Sequence, residues 1–192
     1  MSGSIITSEI SQIPAIFTKL NQNQAIFDKA VSGIKSRNIS NVILVARGTS
    51  GHAALFLKAL IETELGLPVG IAAPSAVSIN GAKLNFDATL VIGLSQSGQS
   101  PDLLSYLEAA KKGGALLITF TNDANSPMAK IADTHIDLLA EKERALAATK
   151  SYSAQLFASL KLIRTWQGKN FDFSDTDDRL NELLADNGIN DS

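Results

Sequence analysis

The chain has 192 residues, 45% of them hydrophobic and 19% charged, and its 17 basic and 19 acidic residues leave a formal net charge of −2 at pH 7. These values are ordinary for a globular protein and too balanced for a nucleic-acid-binding surface. With no cysteine and only two histidines, we expect no disulfide and no metal site. The sequence has no run of about 18 apolar residues and no signal peptide, so we expect a cytoplasmic protein that does not engage membranes.

The order of elements along the chain predicts three segments. Residues 1–37 form an N-terminal helical segment, because apolar residues recur at helical spacing from Ile13 to Ile34 and Pro14 suits a first helical turn. In residues 38–168, apolar runs of strand length alternate with helical stretches. The strand-like runs are 42–46, 69–72, 88–94, 115–120 and 135–139; the helical stretches are 51–65, 101–112, 127–132 and 149–166. Residues 169–192 are polar, which predicts a tail or a truncated linker to a second domain.

This alternation predicts the α/β fold class. Strands that are apolar throughout and are separated by amphipathic helices indicate a parallel sheet with helices on both faces. We therefore expect a doubly wound sheet of five parallel strands. Ligands of such sheets bind outside the carboxyl ends of the strands, near the point where the strand order reverses.

Two turns rich in hydroxyl groups follow strand-like runs and precede helical stretches. The first is Gly48, Thr49 and Ser50, and the second contains Ser95, Gln96, Ser97 and Ser100. The first turn of a helix presents unpaired N–H groups and favours an anion. One serine would be explained as a helix cap, but this number of hydroxyl groups exceeds that need. The turns predict a phosphate site. Arg47 is either a phosphate ligand or a surface ion-pair partner.

Three further residues are candidates for chemistry. His52 follows the first turn and would act in proton transfer, or else only in capping or packing. Glu143 lies after the last strand and is the candidate general base. Lys150 stands at a helix start, where a cation is disfavoured unless an acidic partner or a ligand hydroxyl accompanies it.

Three segments of the chain resemble the signature motifs of the sugar isomerase (SIS) domain family. They are VILVARGTSG at 42–51, LSQSGQSPDL at 94–103 and AATKSYSAQ at 147–155. Three ordered motifs are more specific than any one of them. Within the family they most resemble the glucosamine-6-phosphate deaminases of the SIS type and the isomerase half of glucosamine-6-phosphate synthase. Gln99 and Ala148 favour the deaminase branch.

The resemblance implies a flavodoxin-like SIS fold and a role for each motif. Ser50, Ser95, Gln96, Ser97 and Ser100 would hold the phosphate, while Gly48 and Thr49 shape the first turn. Ala147, Ala148 and Lys150 would line the sugar side with Glu143. Relatives usually carry two SIS domains in tandem and draw a catalytic glutamate and histidine largely from the second. This chain would then be half of an enzyme or a one-domain protein that pairs with a second copy.

The resemblance therefore implies a homodimer that binds glucosamine 6-phosphate or fructose 6-phosphate and takes part in aldose–ketose isomerisation with deamination. No metal or organic cofactor is expected. The alternative is a non-catalytic SIS module that senses a phosphosugar. A nucleotide-binding domain for FMN or NAD is disfavoured, because no Gly-x-Gly-x-x-Gly follows the first strand.

Overall fold

A computed structural model describes residues 2–145, 148–171, 173 and 182 of the chain. Its helices and strands follow one another in an order typical of α/β proteins. In chain order they are α1 Ser2–Ile10, α2 Ile13–Gln22, α3 Gln24–Lys35, β1 Asn41–Ala46, α4 Thr49–Leu65, β2 Val69–Ile71, α5 Pro74–Ser78, β3 Thr89–Leu94, α6 Pro101–Lys112, β4 Leu116–Thr121, α7 Pro127–Ile131, β5 Thr134–Asp137 and α8 Lys150–Trp166.

The five strands form one sheet in the order β2-β1-β3-β4-β5, and every neighbouring pair is parallel. The chain leaves β1 toward one edge of the sheet and leaves β3 toward the other. The strand order therefore reverses between β1 and β3, where Ala46 lies beside Leu94 in the register. The predicted doubly wound sheet of five parallel strands is confirmed, and its switch point lies between the two hydroxyl-rich turns.

Each face of the sheet carries its own hydrophobic core. Side chains of a strand point alternately to the two faces, so Ile92 packs with the helices α2, α3, α4 and α8, whereas Val91 packs with α5, α6 and α7. Gly93 faces the second layer, and a Cβ there would lie 2.9 Å from Met128 Cε. The central strands β1, β3 and β4 are mostly apolar because both faces of the sheet are covered.

The predicted N-terminal helical segment contains three helices, α1, α2 and α3. Its apolar pattern, which allowed one helix or a pair, covers α2 and α3 with a division at Asn23. The sequence did not predict α5. Helix α1 lacks a strong apolar stripe, and it is held by a tertiary contact: its buried Glu9 carboxylate accepts hydrogen bonds from backbone N–H groups of the loop after β5. Within the described ranges, no helix is both long and apolar enough to cross a membrane.

Candidate functional site

A cavity of about 520 Å³ lies at the carboxyl ends of β1 and β3. Its volume falls within the range of about 300–1,000 Å³ that is typical of small-molecule sites. Residues of both hydroxyl-rich turns line it, together with the loop after β5 and the first turns of α8. The residues from the two turns are Arg47, Thr49, Ser50, Ser95, Gln96, Ser97 and Ser100.

The first turn is shaped by Gly48, which immediately precedes α4. Its φ of 55° and ψ of −137° belong to a region that side chains disfavour, so the strand can turn sharply into the helix here. No side chain caps α4. The N–H groups of Thr49 and the buried Ser50 have no acceptor within the helix and open at the cavity, whereas the N–H of Gly51 donates to the carbonyl of Gly48.

In the second turn, the serine hydroxyl oxygens accept hydrogen bonds from the turn's own backbone. Ser95 Oγ accepts from the N–H of Gly98 at 3.0 Å, and Ser97 Oγ accepts from the N–H of Gln99 at 3.4 Å. Ser100 stands at the N-cap of α6, yet its side chain makes no capping hydrogen bond. A hydroxyl that accepts one hydrogen bond still has a proton to donate. The turn thus presents donors to the cavity.

Close packing holds the second turn in place. Gly98 has a φ of 63°, and a Cβ at this position would lie 2.3 Å from Ser126 Oγ at the start of α7. Behind Ser126, Thr121 Oγ1 lies 2.8 Å from His135 Nε2. Burial lowers the pKa of His135 below its usual value, and the charge of Asp137 opposes that shift in part. This buried contact supports the turn from behind.

Glu143 lines the cavity and also closes the N terminus of α8. Its Oε1 accepts hydrogen bonds from the backbone N–H of Thr149 at 2.7 Å and of Ser151 at 3.3 Å. Its Oε2 accepts from the Ser151 hydroxyl. A carboxylate at this position is favoured by the helix dipole. Glu143 therefore has a structural role that needs no ligand.

The loop that carries Glu143 is strained and is held at two points. Leu139 and Glu141 have φ values of 55° and 53°. Asn122 Oδ1 accepts a hydrogen bond from the N–H of Ala140 at 2.8 Å, and Asn122 Nδ2 donates one to the carbonyl of Glu141. Backbone strain of this kind persists only where surrounding contacts fix it. Asn122 from the end of β4 and Glu9 from α1 provide those contacts.

Two arginines stand at the cavity with different partners. The Arg47 guanidinium lies 2.8 Å from the Asp102 carboxylate, so the ion-pair alternative is the one that the structure contains. Arg144 is exposed and lines the cavity from the other side, on the loop after β5. An exposed guanidinium at a cavity attracts anions. The described residues contain no cluster of histidine, aspartate and glutamate suited to a metal ion.

The structure brings most of the predicted site residues together, but not all. His52 is exposed and does not line the cavity. Lys150 is buried, and its Nζ donates to Gln12 Oε1 at 2.8 Å in an adjacent cavity of about 430 Å³. Its partner is thus an amide. Ala148 lines the main cavity, whereas Ala147 lies outside the described residues.

Sequence reasoning missed four polar residues that line the cavity: Arg144, Ser151, Tyr152 and Gln155. The last three lie on α8 within the third motif, and Ser151 and Gln155 are four residues apart on one helix face. That spacing is the signal that could have identified them. Gln155 Nε2 donates to Ser50 Oγ at 3.0 Å and so joins α8 to the first turn.

Comparison with known families gives one match that spans most of the described core. The SIS domain family matches residues 36–163. The chain belongs to the SIS domain family. Its first motif lies on β1 and the start of α4, its second on β3 and α6, and its third on α8, so all three border one cavity.

Relatives and solved structures agree with this assignment. The glutamine–fructose-6-phosphate aminotransferase (isomerizing) of Halobacterium salinarum is 35% identical over 129 residues, which cover 67% of this chain and 21% of that protein. A candidate phosphosugar isomerase from Silicibacter pomeroyi is 35% identical, with a TM-score of 0.84 over 93% of this chain and 55% of that one. The tagatose-6-phosphate ketose/aldose isomerase of Escherichia coli shares the fold at 18% identity, with a TM-score of 0.77 over 94% of this chain and 53% of that one.

The chain thus spans about a fifth of the aminotransferases that it matches and about half of the isomerase structures.

Proposed function

We propose that the cavity binds the phosphate of a hexose 6-phosphate, either glucosamine 6-phosphate or fructose 6-phosphate. One observation carries the proposal: Ser50, Ser95 and Ser97 each use their hydroxyl oxygen as an acceptor within the protein, which leaves three protons for a ligand at one cavity. Two helix N termini without side-chain caps open at the same place. A phosphate accepts hydrogen bonds from every direction and suits such a set of donors.

The chemistry of these donors favours a phosphate ester that binds reversibly. Hydroxyl and backbone N–H groups carry no formal charge, so they avoid the cost of desolvating a buried cation. Gln96 and Ser100 add further polar groups at the edge of the cavity, and Thr49 stands at the start of α4. Ala148 leaves room on the side where the sugar carbons would lie.

We propose further that the bound sugar undergoes aldose–ketose isomerisation with deamination. A base would move a proton between C1 and C2 of the open-chain sugar. Water would then add to the resulting imine, and ammonia would leave. Glu143 is the candidate base, because it lines the cavity. Among the described contacts, its Oε2 accepts one hydrogen bond, from the Ser151 hydroxyl. Holding the sugar by its phosphate would supply much of the rate enhancement through positioning.

A second copy or a second domain would complete the catalytic site. Two apolar side chains on α4, Leu55 and Phe56, are 53% and 38% exposed. Burying such residues in an interface is favourable. We therefore propose a homodimer. Light scattering at micromolar concentration should give a mass near 41 kDa, twice that of the 20.3 kDa chain, and the mass of a monomer would contradict the proposal.

The alternative proposal is a phosphosugar-binding module without catalysis. The hydrogen bonding of Glu143 favours it, since four donors at the N terminus of α8, the N–H and hydroxyl groups of Thr149 and Ser151, already donate to this carboxylate. Such a module would bind the ligand as tightly as the enzyme does. It would differ only in leaving the sugar unchanged.

Two measurements test these proposals. Isothermal titration with fructose 6-phosphate should give saturable binding, and unphosphorylated fructose should give none; equal binding of the two sugars would contradict the phosphate site. Incubation with glucosamine 6-phosphate should release ammonia in proportion to the protein added. Binding without ammonia release would support the binding module instead.

A further inference from the structure

Gln155 is a buried polar residue of the cavity, and only one end of its side-chain amide is paired. Its side chain is 1% exposed and lies on the second turn of α8. One end of the amide is paired, because Nε2 donates to Ser50 Oγ at 3.0 Å. The other end, Oε1, is buried and has no hydrogen-bond partner among the described residues. An unpaired buried carbonyl is costly and calls for an explanation.

The orientation of this amide determines what the Ser50 hydroxyl can do. With Nε2 toward Ser50, the hydroxyl oxygen accepts a hydrogen bond and its proton stays free. With Oε1 toward Ser50, the hydroxyl would give its proton to the amide and could not donate to a ligand. The structure has the orientation that preserves the Ser50 proton.

Ser50 itself is well placed to use that proton. Its side chain is 8% exposed, lines the cavity and stands in the first turn of α4, where the helix dipole also favours an anion. Gln155 lines the same cavity from α8. Because an amide carries no charge, it can be buried beside an anion site without adding a charge of either sign.

We propose that Gln155 is a positioning residue of this site: its amide N–H fixes the Ser50 hydroxyl so that the Ser50 proton is donated to the phosphate of the bound sugar. The inference rests on the proposed phosphate site and adds to it a contact between two helices. Gln155 acts through Ser50 and has the same role whether the sugar is converted or only bound. The unpaired Oε1 is a consequence of this orientation.

Replacement by glutamate is the sharpest test. Gln155→Glu keeps the shape of the side chain, but at pH 7.5 a carboxylate accepts the Ser50 proton and places a negative charge beside the phosphate. We expect the affinity for fructose 6-phosphate to fall at least 30-fold at pH 7.5. Relative to the unmodified protein at the same pH, it should recover in part near pH 5, because burial at this position raises the pKa of a carboxyl group and a protonated carboxyl group can donate again. Gln22→Glu, which adds the same charge at an exposed position at the end of α2, is the control and should bind like the unmodified protein.

A double-mutant cycle tests whether Gln155 acts through Ser50. Ser50→Ala should weaken binding about 10-fold, and Gln155→Met, which removes the donor at similar volume, should weaken it three- to tenfold. The double variant should bind no more weakly than Ser50→Ala alone, since the amide has lost the group that it positions. Multiplied losses would overturn the proposal, as would a Gln155→Glu variant that binds normally at pH 7.5.

Two outcomes separate this inference from the proposed function. If the unmodified protein does not bind fructose 6-phosphate, both are overturned. If it binds but the Gln155 variants bind equally well, only the inference is lost. Should Gln155→Glu fail to fold, the side-chain amide resonances of Gln155 in the unmodified protein give a second readout. Fructose 6-phosphate should shift them and fructose should not, and no shift at saturation would overturn the inference.

Discussion

Gly98→Ala probes the packing that holds the second turn, and Gly66→Ala is its matched control. The two glycines have nearly the same positive φ, at 63° and 68°. Gly66 ends α4 at the opposite end from the cavity, and a Cβ there would meet nothing within 4 Å. At Gly98 a Cβ would lie 2.3 Å from Ser126 Oγ and 2.6 Å from Ser126 Cβ.

The magnitudes follow from these contacts. A left-handed conformation costs an alanine about 1–2 kcal/mol, which is the whole expected loss for Gly66→Ala. Gly98→Ala pays the same amount and also overpacks the turn against Ser126, which adds about 1–3 kcal/mol. We therefore expect Gly98→Ala to lower the free energy of unfolding by about 2–5 kcal/mol. It should also displace the Gly98 N–H group, which donates a hydrogen bond to Ser95 Oγ, and so abolish ligand binding.

Urea unfolding of both variants, followed by fluorescence, measures the first effect, and titration with fructose 6-phosphate measures the second. Gly66→Ala should bind the sugar phosphate like the unmodified protein. Equal stability losses in the two variants would refute the close approach of Gly98 to Ser126. Normal binding by Gly98→Ala would refute the role of this turn in the site.

Three further predictions concern the site and its supports. Ser97→Ala should weaken fructose 6-phosphate binding about 10- to 100-fold by titration, because a hydrogen bond to a charged group contributes about 1.5–3 kcal/mol, whereas Ser105→Ala on the exposed face of α6 should not. Since burial lowers the pKa of His135, the unfolded state takes up the proton first as the pH falls through about 6.5. Stability should fall from pH 7.5 to 5.5, less so in His135→Gln; His52→Gln is the control, and an unchanged slope in His135→Gln would contradict the assignment. Asn122→Ala should cost about 1–3 kcal/mol in urea unfolding and weaken binding, because it orphans two backbone groups of the loop after β5; a smaller loss would show that this loop is held elsewhere.

The part of the site that could be predicted from sequence is the part encoded locally. Gly48 to Ser50 and Ser95 to Ser100 each follow an apolar run and precede a helix, so their place at the carboxyl ends of two strands follows from the order of elements. The parallel sheet follows from the same alternation. Each strand, turn and helix in that order is indicated by residues that lie close together in the sequence.

Long-range contacts account for what the sequence did not reveal. The pair Gln155 and Ser50 is separated by 105 positions, and Glu9 meets the N–H of Arg144 across 135. No local pattern predicts either contact. Helix α1 has no strong apolar stripe to mark it in the sequence, and its Glu9 makes the second of these contacts. His52 was misleading for a geometric reason: it lies two residues after Ser50, which turns a side chain by about 200° around a helix. It therefore faces away from the cavity that Ser50 lines.

The most direct test of the central claim is a crystal structure of the protein with fructose 6-phosphate. The account predicts the phosphate between the two turns, within hydrogen-bond distance of the hydroxyl groups of Ser50, Ser95 and Ser97. A sugar phosphate bound elsewhere, or bound in this cavity with its phosphate turned away from both turns, would contradict it.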